Sequence, residues 1–367
     1  MTTTTEVNET TAHQRDALGE RLFGFLLGGM ELLTVQLGVQ AGLYAALRRG
    51  GPASAGELAG RAGVAERYAR EWLEQQATAG IVEVTAPGGP AQRRYQLPDG
   101  HAEALLDEDS PGYLAAAAPT LVGLTRALGE VAAAYRTGDG VAYAHFGADI
   151  RHGISSFNRP MFAHELATEW LPALGDVHAR LSSGASARVL DVGCGTGWSS
   201  IALARAYPGV QVDGVDLDEA SVADARRNAA DAAVADRVRF EAGDAAALDG
   251  AGGYDLACIF EALHDMGDPV GALRQIRGLL GPAAPLLVAD ERVAESFTAT
   301  GDEVERFMYA YSVLHCLPAT LAESPKIAHG TVLRTDTVRE WARAAGYTGV
   351  EVLPIANDFW RFYRLDS

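Results

Sequence analysis

Read for its hydrophobic and polar positions, the chain changes rhythm near residue 187. Before that point, apolar side chains recur at helical spacing in Ala- and Leu-rich stretches. After it, short apolar runs alternate with amphipathic segments of helical length. The second rhythm predicts strands at 188–192, 210–216, 237–241, 254–259 and 285–290, with helices at 198–207, 219–232 and 269–280. A last helix at 335–346 leads into a closing antiparallel pair, 350–353 and 359–365. Such alternation predicts a mostly parallel sheet covered by helices on both faces, an α/β fold.

The first half reads differently. Residues 22–47 form a long apolar run, but Glu31, Gln36, Gln40 and several glycines would be costly in hydrocarbon, which predicts one or two buried helices and not a membrane span. A short helix follows Ser54, and 65–79 is a longer amphipathic helix carrying Tyr68, Trp72 and Leu73. Residues 81–97 then alternate around Pro87-Gly88-Gly89-Pro90 as strand, turn and strand. Together these predict a winged helix-turn-helix. Residues 101–182 are Ala-rich and mostly helical, with glycines interrupting near 137–140 and a Ser/Gly hinge at 181–186. The expected plan is a disordered, Thr-rich leader at 1–18, a winged-helix dimerisation domain at 19–100, a helical linker and cover at 101–182, and a sheet domain at 183–367 with an insertion at 292–330.

Charge and composition narrow the partners. The formal net charge of -18 opposes nucleic acid and anionic membrane alike. Arg67, Arg70, Arg93 and Arg94 of the winged helix are interleaved with Glu66, Glu71, Glu74 and Glu83, so that face offers little counterion-release affinity and reads as a scaffold. An apolar helix opening so small a domain has little core of its own to cover it, which points to a homodimer formed through the N-terminal domain. Cys194, Cys258 and Cys316 have no metal spacing and read as free thiols in a cytoplasmic protein. The nine histidines show no ligand pattern either, so no metal is expected.

The chemistry gathers where the first strand ends. Val189, Leu190 and Val192 run into Gly193-Cys194-Gly195-Thr196-Gly197, and three alternating glycines allow positive φ and the close approach of a ligand. Asp191 stands just before them. Asp216, with Asp218 as its neighbour, ends the next strand, where a doubly wound sheet presents a carboxylate to ribose hydroxyls. The Gly-x-Gly-x-Gly spacing differs from the pyrophosphate-binding Gly-x-Gly-x-x-Gly, so a nucleoside without phosphates fits better than a dinucleotide.

Val-Leu-Asp-Val-Gly-Cys-Gly-Thr-Gly (189–197), Gly-Val-Asp-Leu-Asp (214–218), Phe-Glu-Ala-Gly-Asp-Ala (240–245) and Tyr-Asp-Leu-Ala-Cys-Ile-Phe (254–260) resemble, in order, the motifs of class I S-adenosylmethionine (SAM) dependent methyltransferases. The whole chain resembles the two-domain small-molecule members, with a Rossmann-like, mostly parallel seven-stranded sheet whose last strand is antiparallel. The resemblance implies SAM as cofactor and S-adenosylhomocysteine as product. Gly193, Gly195 and Gly197 would pass under the methionine part, Asp216 and Leu217 would meet the ribose region, and Asp244 with the Ala245 amide would face adenine. Asp191 and Phe260 complete the expected cofactor set.

The same resemblance implies that His264, in a His-Asp pair after the fourth strand, deprotonates a substrate hydroxyl, with Asp265 and Glu261 beside it. Where the family has Trp after this pair, Met266 stands here. Glu291 is a second candidate to balance an imidazolium. Expected acceptor contacts are Phe157, Met161 and Phe162, with Met308, Tyr309 and Ser312 from a lid in the 292–330 insertion. The implied activity is methyl transfer to oxygen of a small molecule. Transfer to carbon or nitrogen, a non-methylating reaction on the same fold, and a SAM-sensing transcription regulator are the alternatives.

Overall fold

A computed structural model describes residues 4–250, 252–323 and 325–367, with side chains from residue 10 onward. The chain divides into two compact units, residues 1–122 and 123–367.

The first unit opens with a long helix, α1 (Thr4–Gln40). The leader expected at 1–18 is therefore helical over its described part, since no glycine or proline interrupts 4–18; residues 1–3 lie outside the described residues. The expectation of a buried apolar run at 22–47 also needs correction. Leu22, Phe23, Phe25, Leu26, Leu27, Met30 and Leu37 of α1 are exposed, and only its last turns pack. A Cβ on Gly38 would stand 2.5 Å from the rings of both Trp72 and Tyr44, so glycine is what lets the helix close on them. By length and composition, 10–40 is also long and apolar enough to cross a membrane.

Helix α2 (Leu43–Gly50), α3 (Ala55–Ala62) and α4 (Glu66–Thr78) follow, then the wing, β1 (Glu83–Ala86) antiparallel to β2 (Arg94–Gln96), and α5 (Asp99–Leu106). Ser54 and Glu57 close a reciprocal capping box at the start of α3. The core is Tyr44, Leu47, Leu58, Trp72, Leu73 and Tyr95. Each of the four arginines singled out in the sequence faces a carboxylate: Arg67 pairs with Glu71, Arg70 with Glu66, Arg93 with Glu74 and Arg94 with Glu57.

Helix α6 (Ala117–Thr137) carries the chain into the second unit, so the boundary falls within it and not at the Ser/Gly segment 181–186. There α7 (Gly147–His164) and α8 (Gly175–Ser182) precede a sheet of β3 (Ala187–Val192), β4 (Val210–Asp216), β5 (Val238–Ala242), β6 (Leu256–Phe260), β7 (Leu286–Glu291), β8 (Gly349–Val352) and β9 (Trp360–Asp366). Leu181 shares a core with Ala187, which ties α8 to β3 where a hinge was expected. The strand order is β5-β4-β3-β6-β7-β9-β8, parallel except where β9 meets β7 and β8. Helices α9 (Trp198–Ala206), α10 (Glu219–Asp231), α11 (Pro269–Leu279) and α14 (Thr335–Ala345) accompany it. The insertion supplies α12 (Glu303–Tyr311) and α13 (Leu317–Leu321), joined by a π-helical turn at Ser312–Cys316.

Period-two alternation sends the sheet's side chains to two cores. Val189, Leu256, Cys258, Leu287, Ala289, Trp360 and Phe362 go to one; Leu190, Ala257, Ile259, Leu286, Val288, Tyr363 and Leu365 go to the other. Trp170 anchors the first, its ring centroid 4.9 Å from Phe362, 5.5 Å from Trp360 and 5.8 Å from Phe260. Trp170→Ala should lower unfolding free energy by about 3–5 kcal/mol, read from denaturant midpoints.

Candidate active site

The carboxyl ends of β3, β4, β5, β6 and β7 bring together the glycine turn, Asp216, Asp244, His264 and Glu291, as a crevice in such a sheet requires. Gly193, Gly195 and Gly197 have φ of 71°, 51° and 86°. Their surroundings differ. A Cβ on Gly193 would strike Ala262 at 2.4 Å, and one on Gly197 would strike the Phe240 ring at 2.6 Å, whereas Gly195 has open space beside it. Gly195 thus leaves open space at the crevice, and its neighbours hold the turn in shape.

The Gly195 amide donates to Asp216 Oδ2 at 2.8 Å, and the Asp218 amide donates to Oδ1 at 2.9 Å. Burial raises the Asp216 carboxyl to about 6, against those two hydrogen bonds, with Asp218 and Asp191 pushing the same way. Leu217, beside it, is exposed, and Asp244 accepts from the Ala246 amide at 2.8 Å in the turn that carries Ala245. Asp191 has a different task from the one expected. Its Oδ2 accepts from Ser199 Oγ and Ser200 Oγ, both at 2.6 Å, so it pins the start of α9 behind the glycine turn.

Helix α7 lies over this turn: the hydroxyls of Ser155 and Thr196 hydrogen-bond, Asn158 donates to Glu261, and the Arg159 guanidinium stacks 3.9 Å from the Trp198 ring. The Tyr143 hydroxyl is pushed up by burial and then by the Asp216 and Asp218 carboxylates. The sequence pointed to this segment through the aromatic side chains of 157–162; the polar contacts of Ser155, Asn158 and Arg159 were not among those expected.

His264 is 2 % exposed and held from two sides. Its Nδ1 donates to Asp290 Oδ1 at 2.9 Å, its backbone amide donates to Asp290 Oδ2 at 3.3 Å, and its Nε2 lies 3.3 Å from Asp265 Oδ1. Burial acts to lower its pKa, but the Asp265 and Asp290 carboxylates outweigh burial and hold it well above the usual histidine value. Asp290, which the sequence reading passed over for its neighbour Glu291, is the orienting group. Glu291 is 1 % exposed and Glu261 partly exposed; burial raises both carboxyls, and the neighbouring Glu261 raises Glu291 further. At φ 53°, Glu261 turns the chain sharply after β6 toward this cluster. Glu323 is raised to about 7 by burial and by Asp265, Asp244 and Asp216, so several carboxylates converge on one space.

The expected acceptor contacts divide. Phe157 meets Phe359 at 6.0 Å, and Met161 packs at the edge of the core near Asn357. Phe162 and Phe260 belong to the aromatic core around Trp170, 5.4 Å from one another, because period-two alternation on β6 sends Phe260 inward. Met308 is buried in its helix's inner face. The Tyr309 hydroxyl accepts from Arg334 at 3.2 Å, and Ser312 Oγ accepts from the Thr331 amide at 3.2 Å. Within the chain, Phe162, Met308, Tyr309, Ser312 and Phe260 therefore have packing and hydrogen-bonding partners of their own.

The fit to SAM can be judged from these residues. An open Cβ position at Gly195, a buried carboxylate ending β4, an exposed apolar Leu217 and a converging negative field suit a cationic nucleoside. Residues 183–346 match the family described as "Methyltransferase domain", and residues 29–106 match the "Rv2258c-like winged HTH domain". An O-methyltransferase of Aspergillus sclerotiorum, resE, is 36% identical over 127 residues, 34% of this chain and 47% of its own length. The chain spans about half the length of the curated relatives it matches. The structure of the mitomycin 7-O-methyltransferase MmcR matches with TM-score 0.66 at 22% identity, covering 97% of this chain and 99% of that one. PigF with SAH matches with TM-score 0.69 at 20% identity, covering 95% and 99%. These likenesses agree with the observed fold.

Arg334 fastens the lid helix. It donates to Glu305 Oε1 at 2.8 Å, to the Tyr309 hydroxyl and to the Ala294 carbonyl, while Glu305 is 2 % exposed. Arg334→Ala, leaving that carboxylate buried and alone, should cost about 3–5 kcal/mol in a denaturant titration.

Proposed function

Taking as premise a chain that carries a methyltransferase domain behind a winged helix-turn-helix domain, we propose that it transfers a methyl group from SAM to an oxygen of a small-molecule acceptor, with His264 as general base. The carrying observation is the buried His264–Asp290 contact at the carboxyl end of β6 and β7, with the imidazole's other nitrogen toward Asp265. Bound SAM supplies an electrophilic methyl on a sulfonium leaving group. Asp290 fixes the ring so that Nε2 faces the acceptor; the acceptor's O–H proton passes to Nε2 and its oxygen takes the methyl carbon. Positioning accounts for most of the rate, and proton removal adds roughly two to four powers of ten.

The raised pKa sets the pH dependence. Below its folded pKa His264 is an imidazolium and cannot accept a proton, so kcat/KM should rise with pH, its acid limb above the ordinary histidine value. Asp290→Asn removes a carboxylate that raises this pKa. Its limb should move to lower pH and kcat should fall; an unchanged limb would discard the assignment. His264→Ala should lose about 100-fold or more in kcat while calorimetric titration still shows SAM binding, and Asp216→Ala should lose that binding. Mass spectrometry of the product separates oxygen from carbon or nitrogen acceptors.

The regulator reading is disfavoured by the pairing of Arg67, Arg70, Arg93 and Arg94 with carboxylates, which supports a scaffold. We further propose a cytoplasmic homodimer in which the apolar face of α1 is covered by a second copy. Light scattering should give a dimer at micromolar concentration, and Leu26→Glu should yield monomers. A wild-type monomer would count against it.

A further inference from the structure

We propose that His264, Asp265 and Cys316 form a binding site for a divalent transition metal of the zinc class. One ring nitrogen of His264, one carboxylate oxygen of Asp265 and Cys316 Sγ lie within 4.8 Å of one another. Nδ1 of His264 is taken by Asp290, which leaves Nε2 as the ligand atom, 3.3 Å from Asp265 Oδ1. Tetrahedral zinc, with bonds of about 2.0–2.3 Å, sets neighbouring ligand atoms roughly 3.3–3.8 Å apart, so one edge of the tetrahedron is already at length.

Two further observations point to a ligand. Asp265 Oδ1 is buried and accepts no hydrogen bond, although Nε2 lies 3.3 Å away. The carboxylate of Asp290 on the far ring nitrogen is the arrangement that fixes tautomer and orientation in metal-bound histidines. Nitrogen, oxygen and sulfur donors together match a borderline-soft ion, not magnesium or calcium.

Binding replaces the thiol S–H bond with a metal–thiolate bond and releases that proton to solvent. Three protein ligands leave a fourth position for water. The π-helical turn at Ser312–Cys316 delivers Cys316 to this point from a lid segment remote in sequence, so no ligand spacing could announce the site. A bound ion occupies the Nε2 lone pair. On the reading of His264 as base, metal binding and proton abstraction exclude one another; this consequence rests on that reading, while the site itself does not.

The test uses the full chain after chelator treatment, titrated with cobalt(II) alone and followed by absorbance and calorimetry. One ion per chain is expected, with a thiolate-to-cobalt charge-transfer band that zinc bleaches. Cys316→Ser and Cys316→Ala should lose the band and bind at least about tenfold more weakly, and Asp290→Asn should bind about 10- to 100-fold more weakly. Absence of the band in the wild-type chain, or an unchanged titration in a folded Cys316 variant, overturns the site. Zinc should then inhibit methyl transfer by the wild type and spare the Cys316 variants. Stoichiometric metal without inhibition overturns the exclusion, and failure to bind SAM in a separate calorimetric titration removes the methyltransferase reading without touching the cobalt result.

Discussion

The contact between His264 and Asp290 is the constraint on which the site depends. An imidazole and a carboxylate, 2 % and 1 % exposed, can share the interior only if each satisfies the other, since an unpaired buried charge costs several kcal/mol. Their meeting is a matter of strand register. Parallel pairing sets Phe260 on β6 beside Ala289 on β7, so the residues just past that pair, the turn holding His264 and the end of β7 holding Asp290, emerge side by side. A slip of one residue would turn Asp290 to the opposite face and strand the histidine.

Around that pair the protein gathers more negative charge than a stable core would choose. Burial raises Asp216, Glu261, Glu291 and Glu323, so each holds its proton more tightly than an exposed carboxyl would. Such groups oppose folding when ionised, and the two apolar cores flanking the sheet offset them. A cationic ligand entering the crevice relieves the same repulsion, which links affinity for a sulfonium nucleoside to the electrostatic cost of the empty arrangement.

What the sequence disclosed follows from how local each signal is. The strand ends, the glycine turn and Asp216 were legible because period-two runs, positive-φ glycines and a carboxylate at a strand tip are properties of a few consecutive residues. Asp290 was not, because choosing between it and Glu291 requires knowing which face of β7 looks toward β6. The segments around Asn158 and Cys316 were picked out for their aromatic and Met side chains, but Ser155, Asn158 and Cys316 themselves make their contacts through the tertiary packing of α7 and of the turn before α13, which local sequence does not report. The packing of the aromatic residues was hidden for a related reason: Phe162 and Phe260 both meet Trp170 in the core, a contact between distant parts of the chain. Met308, Tyr309 and Ser312 lie on the expected helix and turn, and the grip of Arg334 on Glu305, which the sequence did not show, helps settle which face of α12 turns inward.

The same distinction explains α1. Its apolar run was visible in the sequence, and burial was inferred because Glu31, Gln36, Gln40 and several glycines argued against a membrane span, with cover from a second copy expected for what the small domain could not bury. A helix of this length outruns the small core available to it. Only the turns near Thr34 and Gly38 reach that core, where the Trp72 indole donates to the Thr34 carbonyl and Gly38 admits the Tyr44 and Trp72 rings. The preceding turns keep their phenylalanines and leucines on the surface, a continuous apolar stripe beyond what a chain of net charge -18 needs for its own folding. In the proposed homodimer, a helix crossing its own symmetry mate would bury the identical face on both copies at once.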